Sequence, residues 1–210
     1  MSIALNQALD ENDPQLVAAA ATALSSVSCT VFPEVLEVGK LSAKRICSDY
    51  RTVNIPSLLS LIDTNLRQHY IRNQGRQWQK EKKEEMATPG LVYISYVCDD
   101  KLVAFLSYML TYGDDVPVLY LYEIHVDPAF QHLRVGSRLL SDFHQLAHTL
   151  QSPETPPLLR CKATMLTVFT DNTRALQWYF GLGYTLADDS PTDRKLRKHT
   201  VVPEYYILKR

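Results

Sequence analysis

Residues 118–140, which read VLYLYEIHVDPAFQHLRVGSRLL, constrain the fold of this chain more than any other stretch. The first nine of these residues are rich in Val, Leu, Tyr and Ile, which is typical of a buried strand. Asp127-Pro128 ends that strand, because proline cannot donate to a ladder and restricts the residue before it. After Gly136, apolar residues recur at spacings of one, three and four, which predicts an amphipathic helix. The stretch is therefore predicted to be a strand, a loop and a helix.

The start of the predicted helix is a potential site for an anion. The first backbone N–H groups of a helix have no partner within it, and the helix macrodipole adds partial positive charge there. Phosphate groups commonly bind such N–H groups. Gln131, His132, Arg134 and Arg138 add donors and positive charge close by. A phosphate-bearing ligand and an ordinary basic connection are both compatible with this pattern taken alone.

Two motifs resemble those of the GCN5-related N-acetyltransferases. Residues 131–136, QHLRVG, resemble the acetyl-coenzyme A loop Arg/Gln-x-x-Gly-x-Gly/Ala, with Arg134 at the position of the first glycine. The second motif, Asn-x-x-Ala-x-x-x-Tyr-x-x-x-Gly-Phe/Tyr, is matched at every spacing by Asn172, Ala175, Tyr179, Gly183 and Tyr184. The resemblance implies the α/β fold of this superfamily and acetyl-CoA as cofactor.

The same resemblance implies which residues bind acetyl-CoA. They lie at the end of the strand, in the loop and in a later helix, and are Ile124, His125, Val126, Gln131, His132, Leu133, Arg134, Val135, Gly136, Ser137, Asn172, Ala175 and Tyr179. Asn172 is also expected to cap the helix that follows it. Tyr179 matches a tyrosine that lies near the coenzyme A sulfur in many superfamily members and can protonate it. A tyrosine that merely packs in the helix is the alternative.

Composition limits the class of protein. A chain of 210 residues with 46% hydrophobic content predicts one domain with a sizeable core. A formal net charge of −1 argues against overall attraction to nucleic acid or an anionic membrane, so neither is expected as a direct partner. Cys29, Cys47, Cys98 and Cys161 show no CxxC spacing, so neither a disulfide framework nor a metal site is expected.

The beginning of the chain lacks the features of a targeting segment. No basic region precedes an apolar core, so no signal peptide is expected. The apolar residues 16–24 are fewer than a membrane span requires. Together with the cysteine pattern, these features predict a protein of a reducing interior.

The elements predicted along the chain agree with an α/β acetyltransferase sheet. Helices are predicted at 2–25 (interrupted near Asp13-Pro14), 56–70, 77–86, 136–150 and 173–182, and strands at 41–50, 91–98, 102–112, 118–126, 163–169 and 201–208. We predict a central mixed, mostly antiparallel sheet flanked by helices. An N-terminal helical extension, residues 1–40, precedes an acetyltransferase domain, residues 41–210. The charged run at 80–85 is interpreted as a solvated helix face, with Lys80 and Glu84 as a potential ion pair.

A closer resemblance, over roughly residues 56–210, is to the NatD family of N-alpha-acetyltransferases. It lies in DTNL at 63–66 with Tyr70, Trp78, KEEM at 83–86, LYLYE at 119–123, MLTVF at 165–169, DDSP at 188–191, and Tyr205 with Ile207 and Leu208. The resemblance implies transfer of acetyl to the free N-terminal serine of histones of the 2A and 4 types, which begin Ser-Gly-Arg-Gly. It also implies action without an auxiliary subunit, in the cytoplasm and the nucleus.

Glu123 is the candidate general base. Acetyl transfer from a thioester needs a neutral amine, and an α-amine has an unperturbed pKa of about 7.7–8.0, so modest assistance is enough. Glu123 is the only acid in its strand. A carboxylate there is expected to have a raised pKa unless it is paired, and to act directly or through water. A structural carboxylate is the alternative.

The remaining candidates concern the peptide. Tyr122 and Glu123 would point to opposite sides of a regular strand, but the resemblance implies that both serve the site, which a β-bulge would permit. Tyr70, Trp78 and Tyr205 are interpreted either as walls of a narrow pocket or as core aromatics, and Thr167 is implied by the resemblance. Asp114 or Asp115 could pair with the substrate arginine, or could be exposed turn acids.

Three alternatives remain open. The enzyme could act on lysine or on small-molecule amines, or the chain could be a non-catalytic acyl-CoA-binding chromatin module. The basic residues of 194–199 are interpreted as a solvated loop. The more specific alternative is a role in nuclear import or in contact with a nucleosome.

Overall fold

The computed structural model describes residues 13–210, so the part of the first predicted helix at 2–12 lies outside the described residues. The helix that follows begins at Pro14, where the fixed φ of proline suits the first turn. The Asp13 carboxylate caps it by accepting from the backbone N–H groups of Gln15 and Leu16. The interruption predicted near Asp13-Pro14 therefore marks the start of a helix.

Five α-helices are described. They are α1 (Pro14–Val31), α2 (Ile55–Gln74), α3 (Trp78–Glu85), α4 (Val135–Gln151) and α5 (Thr173–Gly181). The strands are β1 (Val35–Val38), β2 (Leu41–Asp49), β3 (Val92–Cys98), β4 (Lys101–Gly113), β5 (Val116–Val126), β6 (Ala163–Phe169), β7 (Thr185–Leu186), β8 (Arg194–Lys195), β9 (Thr200–Val201) and β10 (Tyr205–Lys209). Short 3₁₀ turns cover Pro128–Phe130 and Pro157–Leu159.

Eight strands form one sheet in the order β1-β2-β3-β4-β5-β6-β10-β7. Its described pairs are antiparallel except for β5 with β6, which is parallel. The prediction of a mixed, mostly antiparallel sheet is confirmed. Two tight turns join β3 to β4 and β4 to β5, with Asp99, Asp100, Asp114 and Asp115 all at positive φ. Aspartate tolerates this left-handed region better than most residues, which suits two-residue hairpin turns.

Helices cover both faces of the sheet. On one face α1, α4 and α5 pack over the strands, with Leu24, Phe143 and Tyr179 in the same core as Leu106 and Leu119. On the other face α2 and α3 form a second core with β3 and β4, through Ile62, Tyr70, Trp78, Tyr93 and Phe105. The sheet is thus the middle of three layers, as expected when each element buries one apolar face.

Helix α1 is, among residues 13–210, the one helix long and apolar enough to cross a membrane, with mean hydropathy 1.3. Within it, 22% of the residues are buried, and its Ala21 and Leu24 pack into the sheet core. The thiols of Cys29 on α1 and Cys47 on β2 lie 2.8 Å apart, a proximity that their separation in sequence does not predict.

The domain boundary predicted at residue 41 falls inside the β1–β2 hairpin, and α1 shares the core of the rest of the chain.

Two predicted segments differ in part from the structure. The helical extension predicted at 1–40 also contains a strand, β1, whose Leu36 and Val38 are buried and pair with β2. The last strand was predicted at 201–208 but is β10, while Thr200–Val201 belongs to a separate two-stranded sheet with Arg194–Lys195. The basic residues of 194–199 therefore lie on a small exposed hairpin, in which the Leu196 N–H donates to the His199 carbonyl.

Candidate active site

A cavity of about 900 Å³ opens where β5 and β6 separate. The two strands pair only from Val118 to Leu121 on β5 and from Ala163 to Leu166 on β6. Both strands continue beyond these residues without pairing to each other, and the cavity is lined from both sides and from α2, α3, α4 and α5. The gap in the sheet is therefore what makes room for a ligand.

A β-bulge in β5 brings two candidate residues to one face. Ser107 of β4 faces Glu123, but its neighbour Tyr108 faces Leu121, so Tyr122 is an extra residue. Leu121 packs in the core under α1, α4 and α5. Tyr122 packs against the second core, which α2 and α3 form on the other face. Glu123 follows on that same face, where it meets Tyr70. The bulge supplies the arrangement that the resemblance required.

Glu123 is buried, with 6% of its surface exposed, and three side chains bind its carboxylate. Lys82 Nζ lies 2.7 Å from Oε1, and the Tyr70 hydroxyl donates to the same oxygen at 3.2 Å. His125 Nε2 lies 2.6 Å from Oε2. The carboxylate is thus held by groups from α2, α3 and β5 while it lines the cavity.

The expectation of a raised pKa for Glu123 does not apply, because the carboxylate is paired. Burial opposes its ionisation, but the Lys82 ammonium and the hydrogen bond from His125 hold its pKa at about 2. The same pair acts on Lys82, whose burial alone would lower its pKa but whose contact with Glu123 raises it above the ordinary value. Both groups are therefore ionised at neutral pH.

Lys82 is a site residue that sequence reasoning missed. The run at 80–85 was predicted to be a solvated face, yet only 7% of the Lys82 side chain is exposed. It also binds Glu85 Oε1 at 2.6 Å and lies over the Tyr70 ring, 5.2 Å from its centroid. The predicted Lys80–Glu84 pair is not among the ion pairs of residues 13–210. A signal was present, because Trp78, Lys82 and Met86 recur every four residues and form one buried stripe.

The loop predicted to bind acetyl-CoA leads into α4, whose first turn has no side-chain cap. Arg134, at the position of the first glycine of the motif, has φ of 62°, a left-handed conformation that glycine adopts more readily. A Cβ built on Gly136 would meet only Val126 and Trp178, at 3.6 and 3.8 Å, which is ordinary contact. Crowding within the protein does not require a glycine there. Gly136 lies on the cavity wall, where the lack of a side chain lets its backbone face the cavity.

Most of the predicted cofactor residues lie where expected. The cavity wall includes Ile124, His125, Val126, Gln131, His132, Arg134, Val135, Gly136, Ser137, Asn172, Ala175 and Tyr179. Leu133 is exposed and lies outside that wall. The Asn172 side chain accepts from the Ala175 N–H, which caps α5 as expected. Burial raises the pKa of Tyr179, so its hydroxyl is protonated and can donate.

The predicted peptide residues divide into two groups. Tyr70, Tyr122, Glu123, Thr167 and Tyr205 line the cavity. Trp78 does not, since it lies behind Tyr70 and stacks on it with the ring centroids 4.3 Å apart.

Neither Asp114 nor Asp115 is part of the cavity wall. The Asp114 carboxylate binds Lys209 Nζ at 2.8 Å and accepts from the backbone N–H groups of Asp188 and Asp189. Its charge is therefore already engaged in joining β10 and the loop after β7 to the β4–β5 turn. Among residues 13–210, the acids on the wall are Glu85 and Glu123.

Comparison with known families decides the class. The acetyltransferase (GNAT) family matches residues 58–184, more than half of the chain. The chain belongs to this family. The resemblance of the two motifs to GCN5-related N-acetyltransferases is thereby confirmed.

A curated relative of this GNAT protein agrees with that assignment. N-alpha-acetyltransferase 40 of Saccharomyces cerevisiae is 36% identical over 154 residues, which are 65% of this chain and 53% of that protein. The chain thus spans about half the length of that curated relative.

Two solved structures share the fold. One is the PaiA N-acetyltransferase of Thermoplasma acidophilum in complex with coenzyme A, with 11% identity over 81% of this chain and 99% of that chain and a TM-score of 0.52. The other is an acetyltransferase of Streptococcus agalactiae, with 12% identity over 79% of this chain and 97% of that chain and a TM-score of 0.53.

The ion pair between Lys82 and Glu123 predicts a specific acid sensitivity. As pH falls from the ordinary Glu pKa of 4.5 towards about 2, the unfolded chain takes up a proton on Glu123 that the folded chain does not. Stability supplied by this group is present above that window and is lost within it. The double variant Lys82→Met, Glu123→Gln should therefore reduce the slope of unfolding free energy against pH by about 1.4 kcal/mol per pH unit at its steepest.

Urea denaturation between pH 3 and 4.5 measures that slope. The exposed pair of substitutions Lys80→Met, Glu84→Gln on the same helix serves as control and should leave the slope as in the wild type. Equal slopes in the Lys82/Glu123 variant and the wild type would contradict the ionised pair.

Proposed function

We propose that this chain is an N-alpha-acetyltransferase that moves acetyl from acetyl-CoA to the free N-terminal serine of a Ser-Gly-Arg-Gly terminus, as in histones of the 2A and 4 types. The observation that carries the proposal is the bulge that places Tyr122 and Glu123 together on the wall of the cavity. The 36% identical relative is an N-alpha-acetyltransferase, which supports the choice of an α-amine.

The cavity suits acetyl-CoA. The uncapped N–H groups at the start of α4, with Gly136 on the cavity wall beside them, can receive a phosphate. When bound, this group supplies an activated acetyl thioester. Tyr179 lines the same cavity and remains protonated, so it can donate a proton to the departing thiolate.

Glu123 is suited to receiving an amine. It is ionised at neutral pH, and a carboxylate can accept more hydrogen bonds than the three it makes here. It can therefore hold the amine, or a water between them, while the amine loses its proton. Because the pKa of Glu123 is low, its base assistance is modest, which an α-amine with a pKa near 7.7–8.0 tolerates.

We assign recognition of the third residue of the substrate to α3, in place of the acids predicted in the β4–β5 turn. Asp114 lies off the cavity wall and binds Lys209, whereas Glu85 lies on the wall, pairs with Lys82 through Oε1 and keeps 40% of its side chain exposed. We assign Glu85 as the acid that pairs with the substrate arginine, with Tyr70, Tyr122 and Tyr205 as walls that restrict the first side chain. We further propose that the chain acts on histone tails without an auxiliary subunit, in the cytoplasm and the nucleus.

The loop assignment predicts the effect of a substitution at Gly136. Gly136→Glu adds bulk and negative charge where a phosphate would bind, so calorimetry should show the affinity for coenzyme A reduced about tenfold or more. Gly136→Ala is the matched control, and should have a much smaller effect because its Cβ makes only ordinary contacts. Unchanged affinity in a folded Gly136→Glu variant rules out this site for the phosphates.

The role of Glu123 predicts a kinetic signature. Glu123→Gln should lower kcat by about 10²-fold or more while the affinity for coenzyme A stays near that of the wild type. The loss should shrink above pH 8, where the substrate amine is already neutral. A variant with wild-type turnover from pH 6 to 9 would leave Glu123 a structural residue.

The substrate assignment is tested with four peptides. The free Ser-Gly-Arg-Gly peptide should have the highest kcat/KM. Versions with Met first or Ala third should lose about tenfold or more, the former because the tyrosine walls restrict the first side chain and the latter because Glu85 loses its partner. The N-terminally blocked peptide, which retains its lysines, should show little activity. Equal acetylation of the blocked and free peptides identifies a lysine acetyltransferase, and binding of acetyl-CoA without any turnover identifies a non-catalytic module.

A further inference from the structure

One backbone carbonyl beside the cavity fixes the orientation of two side-chain amides. The Val126 oxygen lies 3.1 Å from Asn65 Nδ2 and 3.1 Å from Gln131 Nε2. A carbonyl oxygen can only accept hydrogen bonds, so both amides must turn their NH₂ groups towards it. The orientation of Asn65 and Gln131 is therefore determined by chemistry.

The orientation of Asn65 determines which His125 nitrogen carries the proton. Gln131 Nε2 also lies 3.4 Å from Asn65 Oδ1, which is its acceptor, and Asn65 Nδ2 lies 3.3 Å from His125 Nδ1. Since Asn65 presents an N–H there, Nδ1 must present its lone pair. The proton of a neutral imidazole then resides on Nε2, which is 2.6 Å from Glu123 Oε2.

On its Nδ1 side, the His125 ring meets the Asn65 amide, which offers a donor. The His125 side chain is 4% exposed and stacks on Phe105 of β4, with the ring centroids 5.3 Å apart. A doubly protonated ring would set the Nδ1–H against the N–H of Asn65. Lys82 contacts the other carboxylate oxygen of Glu123 and also binds Glu85.

We propose that Asn65 and His125 are positioning residues for Glu123. Hydrogen bonds run in one direction from Gln131 to Asn65, from Asn65 to His125 and from His125 to Glu123, and they hold His125 as the neutral Nε2–H tautomer. His125 aims this N–H at the carboxylate and so fixes its orientation towards the cavity. The side chain of His125 therefore serves Glu123, although the residue was predicted to bind the cofactor. The positioning role rests on the proposed function of Glu123, whereas the tautomer does not.

The same hydrogen bonds exclude His125 as the acceptor of the substrate proton. Its Nε2 already carries a proton, and its Nδ1 faces a donor on Asn65. His125 can orient Glu123 but cannot shuttle a proton away from it.

The tautomer is measured directly by long-range ¹H–¹⁵N correlation spectra of the ¹⁵N-labelled wild-type chain between pH 6 and 8. The signals of His125 are assigned by their loss in His125→Gln. We expect the Nε2–H pattern throughout. The Nδ1–H pattern, or that of an imidazolium, would overturn the inference whether or not the chain has activity.

Asn65→Asp tests the positioning role, because it replaces the donor with an acceptor of the same shape. His125 should become doubly protonated, and kcat should fall about tenfold or more as Glu123 loses its orientation, with the affinity for coenzyme A within about threefold of the wild type. Asn73→Asp on the same helix is the matched control, since Asn73 donates only to the His69 carbonyl outside the cavity. It should change neither the His125 signals nor kcat.

The two proposals fail separately. If Asn65→Asp shifts the His125 signals but leaves kcat unchanged, the positioning role is overturned while acetyl transfer stands. If the wild type acetylates none of the peptides but shows the Nε2–H pattern, the proposed function fails and the tautomer assignment stands.

Discussion

The site depends on one extra residue in β5. A regular strand would send Tyr122 and Glu123 to opposite faces of the sheet, and Glu123 would then enter the apolar core under α1 and α4. Because Tyr122 is a bulge residue, Glu123 and then His125 stay on the face covered by α2 and α3, where Tyr70, Asn65 and Lys82 lie. The bulge occurs where β5 is also leaving β6, so one irregularity positions the carboxylate and coincides with the opening of the cavity.

The partners of Glu123 explain how a charged group is kept in so enclosed a place. Burying a carboxylate is costly, and removing a single partner of a buried ion pair typically costs about 3–5 kcal/mol. Lys82 supplies the opposite charge, Tyr70 donates to the same oxygen, and His125 satisfies the other oxygen. Tyr70 is itself held by stacking on Trp78. Tyr70, which we propose as a wall of the first substrate position, therefore also supports the carboxylate.

Much of the fold and the cofactor loop could be predicted because their signals are local. The strand–loop–helix of 118–140 and the Asn172 cap depend on residues close in sequence, and both lie as predicted. The bulge could not be read from β5 alone, because it is a mismatch of register with β4. Lys82 and Glu123 are 41 residues apart, and Asp114 and Lys209 are 95 apart, so neither pairing leaves a trace in periodicity. The clue to Lys82 was its spacing within the charged run. Trp78 lies four residues before it and Met86 four residues after it.

The low pKa of Glu123 bears on the choice between α-amines and lysines. A carboxylate with a pKa of about 2 is a weak proton acceptor, so it serves best an amine that already spends much of its time neutral. At pH 7.4 an α-amine with a pKa near 7.8 is roughly one quarter neutral, whereas a lysine with a pKa near 10.4 is neutral roughly one part in a thousand. Unless the site lowered the pKa of a bound lysine, that difference would disfavour lysine by about two orders of magnitude. Lowering it would require a net positive or a dry, apolar surrounding at the amine. Around Glu123 the two carboxylates of Glu85 and Glu123 outnumber the Lys82 ammonium, and ionised carboxylates stabilise an ammonium. The electrostatics of the site therefore favour an N-terminal amine independently of the shape of the pocket.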